Sequence, residues 1–301
     1  MRFGFIGLGN MGAGMAANLH RYCLDKDIQF SVYDINQEMM QPFLNNGADG
    51  ASSIAEIASK SDIIFTSLPS SKQVNVIATG PEGLLENLPE GAVWFETSTS
   101  DLSEWQKVRD GAPKHLTLID APVTGGTEGA AAGTLTMLLG LEAELSSLQE
   151  DFLKSFTKKQ VIMGPPGSGY IAKLSQLHLN YLVAQGIGEA LMMGAKGGLD
   201  LSVLSDVLSH SCAQSYVVDN YIPKVLDGSY DESFALGLAR KDMRLVKQLG
   251  DHLEIEMPLA SEVLASYEGA VSQYGQKAPH LSIVKLIENK TGKTLRTQPH
   301  L

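Results

Sequence analysis

The sequence predicts a doubly wound, mainly parallel α/β sheet followed by an all-helical domain, with one long helix joining them. Three observations support this fold class. Apolar strands alternate with helical stretches as far as residue 165, an arrangement typical of parallel sheets. No convincing strand follows Gly164, and a proline-free apolar run extends from Gly167 to Gly198. We therefore place the sheet domain at residues 1–165 and the helical domain at residues 166–301.

Short apolar runs bounded by turn residues predict the strands of the first domain. They cover residues 2–6, 29–33, 62–68, 92–96, 116–120, 134–139 and 160–163. Helical patterns between them predict helices over residues 12–24, 70–78 and 102–110. In the second domain, helical periodicity covers residues 200–210, 213–226, 234–250, 258–273 and 280–290, and residues 290–301 form a polar, basic tail.

The long helix begins after a bend. Two prolines and two glycines at residues 164–167 interrupt the chain, and the glycine pair at 197–198 ends the helix. At about 1.5 Å per residue, such a helix is roughly 40 Å long. Its composition is apolar almost all round, so we expect it to be buried on most sides. One of its few charges, Lys173, lies in its first turn, where the chain passes from one domain to the other.

Composition argues against several classes of function. A net charge of −11 over 301 residues is unlike that of a protein that binds nucleic acid electrostatically. Cys23 and Cys212 have no metal-ligand or redox spacing, so we expect two buried thiols. The histidines show no metal-ligand spacing either, so no metal is expected. No signal peptide or membrane-spanning run is visible, which predicts a soluble, cytoplasmic protein.

The first motif that carries chemistry is GLGNMG, placed directly after the first strand and before a helix. Its residues are Gly7, Leu8, Gly9, Asn10, Met11 and Gly12. Gly7 makes a tight turn, Gly9 leaves room for a pyrophosphate, and Gly12 allows close helix packing. The amides at the helix N-terminus then favour phosphate. The motif therefore predicts dinucleotide binding.

Asp34 closes the second strand, where a carboxylate would bind the ribose hydroxyls of a dinucleotide. The same carboxylate would repel a 2′-phosphate, and no arginine follows it at once. NAD is therefore favoured over NADP.

A second glycine-rich stretch, DAPVTGGTEGAAAGTL, begins at Asp120, where the fifth strand ends. Substrates bind at this edge of such sheets. The adjacent Gly125 and Gly126 expose backbone N–H groups, and the hydroxyl of Thr124 can complete a small anion pocket. An ordinary glycine-rich turn with Thr124 as a local cap explains the spacing equally well.

Together with GSGYIAK and the later Phe234 and Lys241-Asp242, these motifs resemble the β-hydroxyacid dehydrogenases, the 3-hydroxyisobutyrate dehydrogenase-like family. The resemblance covers nearly the whole chain in the same order. It implies an N-terminal Rossmann domain, a long interdomain helix and a helical C-terminal domain. It also implies oxidation of a short 3-hydroxy acid, or reduction of its semialdehyde, with NAD(P), by a homodimer or homotetramer.

The resemblance assigns roles to residues of this chain. Thr124, Gly125 and Gly126 correspond to the substrate-binding motif, and Lys173 in the GxGxxxK pattern corresponds to the catalytic lysine. The cofactor contacts fall on Leu68, Pro69, Thr99, Phe234 and Lys241, with Phe234 near the nicotinamide. A lysine that serves as a base near neutral pH needs burial to lower its pKa from about 10.4. The alternative for Lys173 is a structural pairing with a carboxylate.

The chain departs from the family where KxxNN is usual. Here Gln176 and Leu177 stand in place of the asparagines, and both share the Lys173 face of the helix with Asn180. We expect Gln176 or Asn180 to bind the substrate instead, and residues 209–221 to shape the same pocket. The departure leaves other substrates open: tartronate semialdehyde, succinic semialdehyde, sulfolactaldehyde or a sugar acid. A dinucleotide-binding protein without turnover is the remaining alternative.

Overall fold

The computed structural model describes residues 1–142 and 144–297. The chain forms two compact units, Met1–Lys173 and a second that begins at Leu174. The predicted domain boundary was residue 165, whereas this division falls inside the long helix. The end of the predicted basic tail, residues 298–301, lies outside the described residues.

The first unit is built on a nine-stranded sheet in the order β3-β2-β1-β4-β5-β6-β8-β7, with β9 beside β8. Its strands are β1 Arg2–Ile6, β2 Gln29–Tyr33, β3 Asp49–Gly50, β4 Ile63–Thr66, β5 Val93–Glu96, β6 Thr117–Asp120, β7 Val123–Thr124, β8 Leu135–Gly140 and β9 Thr157–Gly164. The first six strands pair in parallel, whereas β8 runs antiparallel to β6 and β7. The predicted mainly parallel sheet is confirmed.

Helices cover both faces of this sheet. They are α1 Asn10–Asp25, α2 Gln41–Leu44, α3 Ile54–Ser59, α4 Ser71–Thr79, α5 Leu84–Asn87, α6 Leu102–Asp110, α7 Gly126–Ala132 and α8 Ser147–Leu153, with a 3₁₀ turn at Gln37–Met40. Alternate residues of one strand enter different cores: Phe65 packs in one, and the adjacent Ile64 packs in the other. A strand buried on both faces reads as a continuous apolar run, which is why the central strands are visible in the sequence.

The long helix α9 extends from Ser168 to Lys196, 29 residues. One face of its later part, including Leu177 and Tyr181, lies in the core of the second unit. Burial on most sides was predicted, but Leu179 is 64 % and Met193 is 73 % exposed. The apolar residues encircle the helix, while the second unit covers only one side of it.

The second unit is helical. After α9 it contains α10 Leu201–Ser209, α11 Tyr216–Leu226, α12 Leu236–His252, α13 Pro258–Tyr274 and α14 Lys285–Thr291, with a 3₁₀ turn at His280–Val284. Among residues 174–297, the β structure is a single bridge between Ala235 and Pro279. None of the described helices is long and apolar enough to cross a membrane. Cys23 is buried as predicted, but Cys212 is exposed because it lies in the segment between α10 and α11.

Candidate active site

The glycine loop between β1 and α1 has a separate structural reason for each glycine. Gly7 has φ +90°, and an added Cβ there would lie 2.2 Å from the Ser67 carbonyl oxygen. A Cβ on Gly12 would lie 1.9 Å from the carbonyl oxygen of Gly7. At Gly9 an added Cβ would meet no atom of the described chain within 4 Å. Gly7 and Gly12 therefore serve the fold, whereas Gly9 leaves its outer side open.

The N-terminus of α1 suits a phosphate group. Gly9 is its N-cap residue and supplies no side-chain cap, so the first amides of this 16-residue helix have no side-chain acceptor there. Such amides, together with the positive end of the helix dipole, bind anions. The open side of Gly9 and the exposed Asn10 lie at this terminus. The loop therefore fits the pyrophosphate of a dinucleotide.

Asp34 lies beside this loop. Its Oδ2 accepts the backbone N–H of Leu8 at 2.7 Å, and its Oδ1 accepts that of Asn36 at 2.8 Å. These bonds hold a half-buried carboxylate at the end of β2. Each carboxylate oxygen has a further lone pair, so the two oxygens can also accept hydrogen bonds from the two hydroxyls of a ribose. The structure thus brings Asp34 and residues 7–12 together.

The predicted cofactor contacts of the first unit follow β4 and β5. The backbone N–H of Leu68 donates to Ser98 Oγ at 2.8 Å, and Leu68 lies close to Gly7. Pro69 is exposed and Thr99 is half-buried. Because β1, β2, β4 and β5 are parallel, their carboxyl ends share one edge of the sheet. These residues lie at that edge.

The predicted substrate motif follows β6 at the same edge. Thr124 is half-buried and pairs with Thr136 of β8. Gly125 and Gly126 are exposed and have φ values of +132° and +68°, which L side chains rarely adopt. The backbone conformation therefore requires both glycines, and it leaves their surface accessible to a ligand.

Lys173 lies on α9 and is only 9 % exposed. Its helix begins against two acidic side chains for which the sequence predicted no role. Asp120 accepts backbone N–H groups from the start of α9, and Glu96 accepts the hydroxyl of Tyr170. Burial raises the pKa of both carboxyl groups. The available signal was an acidic residue that ends an apolar strand, at Glu96 and again at Asp120.

In the second unit, Gln176 and Asn180 are half-buried on α9, while Leu177 packs into the helical core. The hydroxyl of Tyr221 donates to Asn180 Oδ1 at 3.4 Å. Burial raises the pKa of Tyr221 to about 12, so the phenol keeps its proton. Tyr221 ends the predicted pocket-shaping segment 209–221.

Lys241 forms an ion pair with the buried Asp242, with Nζ 2.8 Å from Oδ1. The other oxygen of Asp242 accepts the hydroxyl of the buried Tyr181 at 2.8 Å. This carboxylate therefore links Lys241 of α12 to α9, through a tyrosine that sequence reasoning missed.

Phe234 precedes α12 and is held by His280. The backbone N–H of His280 donates to the Phe234 carbonyl at 2.9 Å, and the two rings lie 5.6 Å apart. The His280 ring also packs against Tyr221 at 4.9 Å and lies 3.0 Å from Asp231 Oδ2. Tyr221 and His280 thus connect Asn180 to Phe234 within the second unit.

Two family models match this chain. The one described as the NAD binding domain of 6-phosphogluconate dehydrogenase covers residues 2–164. The one described as NAD-binding of NADP-dependent 3-hydroxyisobutyrate dehydrogenase covers residues 167–287. The first unit is therefore an NAD-binding domain.

Three relatives align along nearly the whole chain. The 2-(hydroxymethyl)glutarate dehydrogenase of Eubacterium barkeri is 29 % identical over 294 residues, which cover 97 % of this chain and 96 % of the relative. The NAD-dependent L-serine dehydrogenase of Pseudomonas aeruginosa is 30 % identical, with 95 % and 97 % covered. The mitochondrial 3-hydroxyisobutyrate dehydrogenase of Rattus norvegicus is 31 % identical, with 95 % and 87 % covered.

A solved structure has the same fold. The 3-hydroxyisobutyrate dehydrogenase from Salmonella typhimurium superposes with a TM-score of 0.83 at 26 % identity, covering 95 % of this chain and 99 % of that one. The motifs, the two-part fold and the relatives agree. The chain belongs to the 3-hydroxyisobutyrate dehydrogenase-like family of NAD-dependent β-hydroxyacid dehydrogenases.

Proposed function

We propose that this protein interconverts a short 3-hydroxy acid and its semialdehyde, with Lys173 as the proton donor and acceptor. The observation that carries the proposal is the 9 % exposure of Lys173, in a chain whose first unit leaves Gly9 open on its outer side and holds Asp34 against the same loop. A shielded amine is suited to proton transfer because water does not compete for its hydrogen bonds.

The substrate carboxylate would bind at Thr124, Gly125 and Gly126. A hydroxyl and two accessible backbone N–H groups are donors of the kind that hold an anion. Gln176 and Asn180 supply amides that can bind the substrate's remaining oxygens. Asn180 already accepts the Tyr221 hydroxyl, so its amide N–H₂ is left to donate.

The role of Lys173 follows from the proton and the hydride that the reaction transfers. In oxidation, the alcohol loses its hydroxyl proton to the neutral Lys173 Nζ, and the carbonyl forms as the C–H bond breaks. NAD, when bound, takes up the hydrogen and both electrons of that bond as hydride. In reduction, the Lys173 ammonium stabilises the negative charge that develops on oxygen and then donates a proton to it.

Asp34 supports a preference for NAD. Its carboxylate lies next to the Leu8 amide, where a 2′-phosphate on the ribose would meet a negative charge. We therefore propose a kcat/KM ratio that favours NAD over NADP. We also propose that the protein is a homodimer or homotetramer, which light scattering would test. The cytoplasmic location stays a prediction.

A different anionic aldehyde is the second candidate. Leu177 is 6 % exposed in the core of the second unit, so the second amide of the usual KxxNN motif has no equivalent here. The loss of that donor favours a substrate with another size or polar pattern than 3-hydroxyisobutyrate.

The test is turnover of a substrate panel by the native protein and by Lys173→Ala. The panel contains methylmalonate, succinate and tartronate semialdehydes, sulfolactaldehyde, L-serine, L-threonate and the corresponding alcohols. Lys196→Ala is the matched control, because Lys196 lies at the other end of the same helix and bonds the Thr291 carbonyl at 2.9 Å. We expect Lys173→Ala to lower kcat by at least about 10²-fold, and the control to match the native protein.

NADH binding by fluorescence completes the experiment. A Lys173→Ala variant that binds NADH and turns over as fast as the native protein would refute the role of Lys173. NADH binding with no turnover of any panel member would favour the dinucleotide-binding protein without turnover.

A further inference from the structure

A buried carboxylate lies under the start of the helix that carries Lys173. Asp120 ends β6 and has no exposed surface. Its Oδ1 accepts the N–H of Gly167 at 2.7 Å, and its Oδ2 accepts that of Gly169 at 2.9 Å. The N–H of Tyr170 lies 3.4 Å from the same Oδ2. One side chain thus accepts three amides, those of residues 167, 169 and 170, where α9 begins.

Two glycines allow this close approach. A Cβ on Gly169 would lie 2.6 Å from the carbonyl oxygen of Leu138 and 2.8 Å from Asp120 Oδ2. A Cβ on Gly140, the strand partner of Asp120, would lie 2.2 Å from the same Oδ2. The carboxylate is therefore enclosed between β8 and α9. Gly169, part of the GxGxxxK pattern, is needed there for the approach of α9 to the sheet.

A second contact holds the same turn. The Tyr170 hydroxyl donates to the fully buried Glu96, which is the partner of Asp120 on the neighbouring strand. The Tyr170 ring packs edge-on against Trp105, with centroids 5.9 Å apart. The beginning of α9 is thus fastened to the ends of β5 and β6.

Stability alone does not account for Asp120. Its burial raises the pKa, although backbone N–H groups oppose the shift, so the ionised carboxyl costs folding free energy near neutral pH. An ordinary helix cap would be achieved at the surface without that cost. The remaining explanation is that the charged carboxylate fixes the position of the amides one turn before Lys173, because hydrogen bonds to a charged acceptor are short and strong.

We propose that Asp120 is a positioning residue for Lys173. In α9 the N–H of Lys173 pairs with the carbonyl of Gly169, four residues earlier. Asp120 holds the amide of the same Gly169, so it fixes the turn from which the lysine side chain leaves the helix. A displacement of about 1 Å in a reacting group can reduce a rate by 10²-fold. The inference rests on the proposed role of Lys173.

The test is a double-mutant cycle of Asp120→Asn and Lys173→Ala. Asparagine keeps the size of the side chain but replaces one acceptor oxygen by an N–H₂ group, so the amides that donate to that oxygen lose their acceptor. We expect Asp120→Asn alone to lower kcat by about 10-fold to 100-fold, with the Kd for NADH unchanged. In the Lys173→Ala background the same change should alter kcat by less than about twofold, because a residue that acts through the lysine has nothing left to position.

A readout independent of activity is amide hydrogen exchange in the protein without cofactor. Asp120→Asn should accelerate exchange in the peptide that covers residues 165–173, and leave the peptide that covers Gly7–Gly12 unchanged. Asp62→Asn is the matched control, since Asp62 also accepts a backbone N–H, that of Arg2 at 2.8 Å, but precedes β4. The control should preserve both kcat and exchange at residues 165–173.

The outcomes separate this inference from the proposed function. Native kcat in Asp120→Asn, or the same fold loss in both backgrounds, would overturn the positioning role while Lys173→Ala still shows the role of the lysine. Native kcat in Lys173→Ala would refute both. Should Asp120→Asn fail to fold, Tyr170→Phe loosens the same turn of α9 in another way, because it removes the hydroxyl that bonds Glu96. It should lower kcat in the native background alone, and an equal loss in both backgrounds would overturn the inference.

Discussion

Gly9 and Gly12 belong to one motif, but the structure predicts different consequences when each is replaced by alanine. A Cβ on Gly12 would lie 1.9 Å from the Gly7 carbonyl oxygen, more than 1 Å inside the 3.0 Å that real contacts respect. The obstacle is backbone, so the loop itself must move. A Cβ on Gly9 would meet no atom of the described chain within 4 Å.

The expected change in stability follows from these contacts. Alanine in a helix gains about 1 kcal/mol over glycine, whereas overpacking against a rigid neighbour costs about 3 kcal/mol. Gly12→Ala should therefore lower the free energy of unfolding by roughly 2 kcal/mol, or the melting temperature by about 4–8 °C. Gly9 has φ −69° and ψ −169°, which alanine adopts freely, so Gly9→Ala should change stability by less than about 1 kcal/mol.

Both variants should lose NADH affinity, for different reasons. Gly9→Ala places a methyl group where the pyrophosphate approaches the loop, and Gly12→Ala displaces the loop. We expect at least about a tenfold weaker Kd, or 1.4 kcal/mol, in each. Differential scanning fluorimetry and NADH fluorescence titration measure the two quantities. A Gly12→Ala variant that melts like the native protein, or a Gly9→Ala variant that binds NADH like it, would refute the reasoning.

Two further predictions concern buried ionisable groups. Burial raises the pKa of Glu96, so ionisation of this side chain destabilises the folded protein once the pH exceeds the ordinary pKa of glutamate. The melting temperature of Glu96→Gln should therefore rise relative to that of the native protein between pH 5 and pH 8. A pH-independent difference would contradict this. Cys212 is exposed, whereas burial raises the pKa of Cys23 to about 12, so a disulfide reagent should titrate one thiol in the native protein and two in urea. Two fast-reacting thiols in the native protein would show that Cys23 is accessible.

Local signals in the sequence predicted the dinucleotide site because its parts are close along the chain or at strand ends. The motif at residues 7–12 needs only a strand, a turn and a helix, and Asp34 follows from the next strand. Most predicted strand ends lie within two residues of the observed ones: residues 92–96 were predicted and Val93–Glu96 is found. The exception is β9, which begins at Thr157, three residues before the predicted start at residue 160. These elements are specified by apolar runs and turn residues a few positions apart.

Non-local pairing was not predictable in the same way. The two-residue strands Asp49–Gly50 and Val123–Thr124 exist only through their partners, and nothing in their composition marks them. Nor does the apolar run of Leu135–Gly140 disclose that it lies antiparallel to β6. Antiparallel strands can be joined by a short connection, whereas parallel strands need a longer crossover, so strand direction depends on the route of the chain between two strands and not on the composition of either.

The sequence by itself determined the fold class and the family, and it predicted a cofactor site, because these depend on periodicity and on short motifs. Only the tertiary structure decided what surrounds each motif. It placed Asp120 against Gly167 and Gly169, joined Tyr181 to Asp242, and left Met193 in solvent. Such contacts join residues far apart in the chain, and burial depends on which helix face the neighbouring elements cover.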